Sequence, residues 1–203
     1  MYTKGERPVG GAGEAAFWLP LLALFTGARL EELGQARTED VKDIDGVPVL
    51  EISDRGEGMS VKTESSRRRI PIHQTLLDLA FLEYVETLRG AKDERLFPGL
   101  KPNKYGRWTP AWSKWWGRYA RRKASIVDPR KVFHSFRHTF KDACRACHIP
   151  EEVHDALTGH SGSSVGRSYG GLHYPLAPLV EAMKKLRYPG LSLVHLKKHR
   201  IAL

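Results

Sequence analysis

At 203 residues the chain is long enough to bury one sizeable core without disulfides or metal. It carries 33 Lys and Arg against 23 Asp and Glu, a formal charge of +10 with a pI of about 9.7. A field of that sign gathers polyanions, nucleic acid first among them, and the bland alternative is a solvated basic surface. Two cysteines are too few for a disulfide framework, residues 1–7 lack the apolar core of a signal peptide, and the apolar run 17–25 is too short to cross a bilayer, so a soluble, cytoplasmic protein is expected.

Residues 1–13 are rich in Gly and Pro with no hydrophobic period, and read as a linker or the cut edge of something larger, with order beginning near Glu14. From Phe17 to Leu33 the residues Leu21, Leu22, Leu24, Phe25, Leu30 and Leu33 recur at helical spacing, interrupted at Thr26-Gly27. Two helical pieces meeting at a tight turn are predicted, with Arg29 near the start of the second. Residues 41–53 alternate and are β-branched around a turn at Asp45-Gly46, and after the Gly-rich 54–60 a further strand-like run leads through Lys62 to Arg69-Ile70-Pro71-Ile72. That pattern predicts a small antiparallel sheet, with Arg55-Gly56-Glu57-Gly58 as a loop able to carry the neighbouring lysine into a groove.

Helices are predicted over 75–88, 109–124, 135–147, 150–158 and 176–186. Pro150 followed by Glu151-Glu152 is a good helix start, because proline fits the first turn and carboxylates favour its positive end. No internal repeat is apparent. The fold class is therefore α+β, a mostly helical domain over 14–187 with one small antiparallel sheet, followed by a basic tail at 188–203.

The chemistry concentrates late in the chain, at His134-Ser135-Phe136-Arg137, Gly159-His160 and Tyr169. A tyrosine hydroxyl titrates near pH ~10, so cations gathered beside one prepare it to attack an anion such as phosphate. Arginine suits the task, since its planar fork holds two phosphate oxygens and stays charged. His134 and Arg137 are three apart on one predicted helix and so share a face. A rival motif, Cys144-Arg145-Ala146-Cys147-His148, fits haem attachment, and His134, His138 and His154 invite a zinc site; buried, inert thiols are the preferred reading. Arg118, Arg121, Arg122 and Lys123 form a basic run after Trp112, Trp115 and Trp116, with the tryptophans expected in the core and the cations either tracking phosphates or merely solvated.

Four segments follow one another: Thr26-Gly27-Ala28-Arg29-Leu30-Glu31-Glu32-Leu33; Lys62-Thr63 with Ser66, Arg68, Ile70 and Pro71; His134-Ser135-Phe136-Arg137-His138-Thr139-Phe140; and Leu157-Thr158-Gly159-His160 with Tyr169 nine positions on. In this combination the chain resembles the catalytic domain of the tyrosine recombinases, the phage-integrase family. The resemblance implies a DNA breaking-rejoining catalytic-domain-like fold and site-specific recombination through a 3′-phosphotyrosyl intermediate, in prophage or mobile-element integration and excision. It implies double-stranded DNA as substrate, further copies of the same protein in a synaptic complex, and DNA-bending accessory proteins as partners, with no membrane involved.

By the same resemblance Arg29 and Arg137 clamp the scissile phosphate, Lys62 is the general acid, His134 accepts or relays the tyrosine proton, His160 donates to the phosphate, and Tyr169 is the nucleophile, with Tyr174 as its near rival. Glu32 stands where an acidic residue supports Arg29 or His134. No carboxylate cluster of metal-ligand spacing and no Gly-Lys-Ser/Thr phosphate loop accompanies these motifs, so no cofactor is expected. Family members usually carry a helical DNA-binding domain before the catalytic one, and nothing here corresponds to it, so a piece of a longer integrase is expected; the resemblance also implies that the tail docks on a neighbouring subunit. A type IB topoisomerase uses a similar residue set, and a non-catalytic DNA-binding domain of the same fold is the alternative from another class.

Overall fold

A computed structural model describes residues 7–53, 67–160 and 173–199. Its central element is α1 (Ala15–Thr26), which is apolar all round and accordingly buried on nearly every side. Gly27 ends it in the left-handed region at φ +63°, and a Cβ there would stand 2.6 Å from Cδ1 of Phe140 and 2.9 Å from Cγ2 of Thr158. The chain turns at once into the short α2 (Leu30–Gly34), with Arg29 in extended conformation at its N-cap. The two-piece expectation for this region holds.

After a 3₁₀ turn at Thr38–Asp40 come β1 (Val41–Ile44), β2 (Val47–Ile52) and β3 (Arg68–Pro71), an antiparallel sheet in the order β1-β2-β3. Leu50 pairs with Ile70 and with Val41, and Ile52 pairs with Arg68. Because side chains alternate across a strand, this register puts Arg68 on the core face beside Leu50, Ile52 and Ile70. Arg69 and Glu51, opposite one another, take the other face.

The helix predicted over 75–88 is two, α3 (Gln74–Asp78) and α4 (Phe81–Gly90), broken at Ala80, whose φ is +67°. Leu76 and Phe81 are both fully buried, whereas on an unbroken helix they would sit about 140° apart. The other helices match expectation within a residue or two: α5 (Pro110–Lys123), α6 (Ser135–Ala146), α7 (Glu151–Thr158) and α8 (Leu176–Lys185). α1 packs on α2, α3 and α6, while α8 lies against β3 and α7.

Order begins before Glu14. Arg7 grips Glu14 with two hydrogen bonds of 2.7 and 2.9 Å, and the carbonyls of Gly11 and Val9 accept from the indole N–H groups of Trp112 and Trp115 at 2.9 and 3.2 Å. The glycines that made this stretch look like a linker are what allow it to lie there, since a Cβ on Gly11 would come within 2.9 Å of the Trp115 ring. Trp112, Trp116, Phe133 and Phe136 form the aromatic cluster beneath, in line with the core reading of the tryptophans. At the other end the Tyr188 hydroxyl donates to the carbonyl of Leu24, its ring meets Phe25 edge-on, and Leu196 is fully buried. No helix among the described residues is long and apolar enough to cross a membrane.

Candidate active site

Arg137 is the centre of the arrangement. α6 turns Arg137, Phe140 and Cys144 inward on one face, which leaves Arg137 only 6 % exposed. Its Nη1 donates to the carbonyl of Gly27 at 2.7 Å, while Nη2 is buried with no hydrogen-bond partner among the described residues. Burial, followed by the charges of Arg29 and Arg68, brings its pKa down to about 10. Like charges therefore converge on a cation that still has a donor to offer.

The compensating carboxylate is Glu32. Its Oε1 accepts from Arg29 Nη1 at 2.6 Å and Arg68 Nη1 at 3.3 Å; its Oε2 accepts from the Arg29 backbone N–H and Arg68 Nη2, both at 2.7 Å. Burial would raise the Glu32 pKa, but Arg68 by charge and hydrogen bond, with Arg29 behind it, outweighs burial and holds the carboxyl below its ordinary range. Among the described residues three guanidinium groups gather around this one carboxylate, with the charge of Asp155 also felt at Arg137. Such a site is suited to an anion carrying several acceptor oxygens.

His134 stands just before α6 and lines, with Arg137, Ala28 and Leu30, a hollow of about 200 Å³ closed by Ser113, Val132 and Phe133. Burial, with the neighbouring His138, Arg137 and Arg29, moves its pKa below the ordinary histidine value. At neutral pH it is an imidazole able to accept a proton. Its ring meets that of His138 edge-on at 5.1 Å.

His160 follows Gly159, which caps α7 at φ +63°. Its Nδ1 lies 3.8 Å from Oδ2 of Asp155, a buried carboxylate that also accepts from Lys141 at 2.9 Å. Lys141 is one turn beyond Arg137 on α6, so Asp155 couples the two segments that carry His134 and His160. Burial would raise the Asp155 pKa, and Lys141, His154 and His160 together lower it.

Of the six residues singled out from the sequence, Arg29, His134, Arg137 and His160 are described. Arg137 and His134 share the hollow, Arg29 is near enough for its charge to act on both, and His160 is more than half exposed, its neighbour Gly159 packed against Arg68. Lys62 and Tyr169 lie outside the described residues. Glu32 meets Arg29 as expected, but its other partner is Arg68. Sequence reading also missed Asp155 with Lys141, and Glu31, whose carboxylate accepts from the Trp108 and Thr109 N–H groups at the head of α5. The Asp155 signal was its position five before His160. Tyr174, the rival nucleophile, packs partly buried against the core. Cys144 is buried, its thiol pushed up to about 12 by that burial, and Cys147 is half-buried against Arg187. Among the described residues no three His, Cys, Asp or Glu side chains gather as a metal site.

No family model and no curated protein matches the chain in sequence. Among solved structures it is similar to the integrase from mycobacterium phage Brujita, with 15% identity and a TM-score of 0.59 over 98% of this chain and 60% of that one. It is also similar to the Tn1549 transposon integrase solved in complex with transposon right end DNA, with 20% identity and a TM-score of 0.54 over 91% of this chain and 62% of that one. The chain thus spans about three fifths of the length of each. At these identities the shared property is the fold, that of an integrase catalytic domain, mostly helical with one small antiparallel sheet.

Proposed function

We propose that this chain is the catalytic domain of a tyrosine-type site-specific recombinase that cuts and rejoins double-stranded DNA. The observation that carries the reading is Arg137, buried with a donor that no described residue fills, beside Arg29 and Arg68, which both pair with Glu32. An unsatisfied buried guanidinium is costly unless an anion completes it. A phosphodiester whose non-bridging oxygens gain charge during attack is the ligand such a site serves best.

In this reading the Tyr169 oxygen attacks phosphorus and the bond to the 5′ oxygen breaks. The product is a 3′-phosphotyrosyl ester that conserves the energy of the cut backbone until a 5′-hydroxyl reverses the step. Arg29 and Arg137 hold the non-bridging oxygens. His134, neutral at physiological pH, takes the tyrosine proton, and Lys62 protonates the departing 5′ oxygen. His160 donates to a phosphate oxygen from the end of α7. The exposed run Arg118, Arg121, Arg122 and Lys123 on α5 follows the duplex backbone. Integration or excision of a mobile element, with other copies of the protein and DNA-bending factors in the synapse, is the setting that the sequence resemblance supports.

Incubation with nicked duplexes cut from the junctions of the encoding element, followed by denaturing gels, tests this. The unsubstituted chain is expected to give a covalent protein–DNA adduct and Tyr169→Phe none. An adduct that survives Tyr169→Phe refutes the assignment of the nucleophile. Relaxation of supercoiled plasmid without strand exchange would instead favour a type IB topoisomerase reaction.

A further inference from the structure

The Glu32 carboxylate has two cationic partners, and they differ in kind. Arg29 is about a quarter exposed and faces the proposed phosphate site, whereas Arg68 is 4 % exposed on the core face of β3 and cannot reach solvent. Arg68 directs Nη1 and Nη2 to the two oxygens of Glu32, and Nε to the carbonyl of Leu157 at 2.7 Å. Gly159 presses on the same guanidinium, since a Cβ there would lie 2.8 Å from Nη1. Arg68 thereby ties together the Arg29 turn, the sheet and the end of α7 that carries His160.

We infer that Arg68 is a positioning residue for strand cleavage, which neutralises Glu32 from behind so that Arg29 is oriented by the carboxylate without being neutralised by it. The inference rests on the phosphate-gripping role proposed above for Arg29. A carboxylate has about four acceptor positions, and all four are filled here, two by each arginine. Were Arg68 apolar, Glu32 would keep a full buried charge whose remaining cationic neighbours among the described residues are Arg29 and, farther off, Arg137. Arg29 would then become the counter-ion of Glu32, and its affinity for phosphate would fall. A merely structural Arg68 would matter only through packing, and the two roles separate in a double substitution.

The test compares Arg68→Met, Arg68→Lys and the pair Arg68→Met with Glu32→Gln, each checked for folding by thermal melting. Single-turnover cleavage of a nicked duplex is expected to fall about a hundredfold in Arg68→Met, the scale of a catalytic group misplaced by about an ångström. It is expected to recover at least tenfold in the double variant, where the charge to be neutralised is gone, and partly in Arg68→Lys. The side-chain carboxyl of Glu32, followed by NMR of carbon-labelled protein, is expected to titrate at higher pH in Arg68→Met than in the unsubstituted chain, a measurement that needs no DNA. Among the described residues the charged and titratable groups around that carboxyl are Arg29, Arg68, Arg137 and His134. A double variant no faster than Arg68→Met, or an unchanged Glu32 titration, overturns the inference. Absence of any adduct from the unsubstituted chain overturns the recombinase reading instead, and the titration still decides whether Arg68 neutralises Glu32.

Discussion

Arg137 Nη1 lies 2.7 Å from the carbonyl oxygen of Gly27, so this buried cation is held by the turn between α1 and α2 rather than by a carboxylate. That choice keeps its charge available. It also leaves a buried guanidinium whose second nitrogen no described residue satisfies.

Arg137→Met should therefore separate stability from function. The adduct with nicked DNA is expected to disappear, while the melting temperature of the unliganded protein stays level or rises, because an apolar side chain of similar length removes a desolvation penalty. Inorganic phosphate should raise the melting temperature of the unsubstituted chain more than that of the variant. A variant that melts far lower would mark Arg137 as a structural anchor.

Glu31 should matter to stability, not chemistry. It accepts from Trp108 N–H at 2.6 Å, from Thr109 N–H at 3.1 Å and from the Thr109 hydroxyl, which fastens the head of α5 to α2. Glu31→Ala strands part-buried donors and is expected to cost about 1 kcal/mol in urea denaturation. Hydrogen exchange should accelerate first in the opening turn of α5.

The basic end of α5 makes a prediction in salt. Arg118, Arg121, Arg122 and Lys123 are all exposed. If three of them meet phosphates, replacing those three by Gln should reduce the slope of log affinity against log salt by about 0.9 for each phosphate no longer neutralised, or roughly 2.7 in all. An unchanged slope in fluorescence anisotropy would make the run a solvated helix face.

Acid should loosen the fold through His73. Buried between β3 and α3, it stacks on Phe25 at 4.6 Å, accepts from Thr75 N–H through Nδ1 at 3.1 Å, and meets the Leu186 carbonyl through Nε2 at 3.2 Å. Burial chiefly lowers its pKa, helped by Arg187 and opposed by the Leu186 carbonyl and Asp78. Below the unfolded value of 6.5 the unfolded chain then binds more protons than the folded one, so stability falls as pH falls and returns as pH rises. His134 and His154 are shifted in the same direction. Melting temperature should drop between pH 7 and the pH 5 region, and His73→Asn, which retains a helix-capping side chain, should reduce that dependence.

What sequence alone determined about this protein is what depends on short-range spacing. The α1–α2 break at Gly27, Arg29 at a helix head, His134 at the N-cap of the helix that carries Arg137, and the capped ends of α7 follow from residues a few positions apart, where helical and strand periods act. Local pattern misled at Gly10-Gly11, whose missing side chains read as looseness and in fact admit the backbone against Trp115, and at Ala80, where burying both Leu76 and Phe81 overrode helical continuity. Only the tertiary structure decided the fate of Arg68. In a strand an arginine reads as a surface residue, and it faces inward here because the pairing of Ile52 with Arg68 sets the alternation and a carboxylate 36 positions earlier awaits it. Such pairing is long-range and electrostatic: burying either charge alone is prohibitive, so neither position shows its role until the fold has brought the other to it.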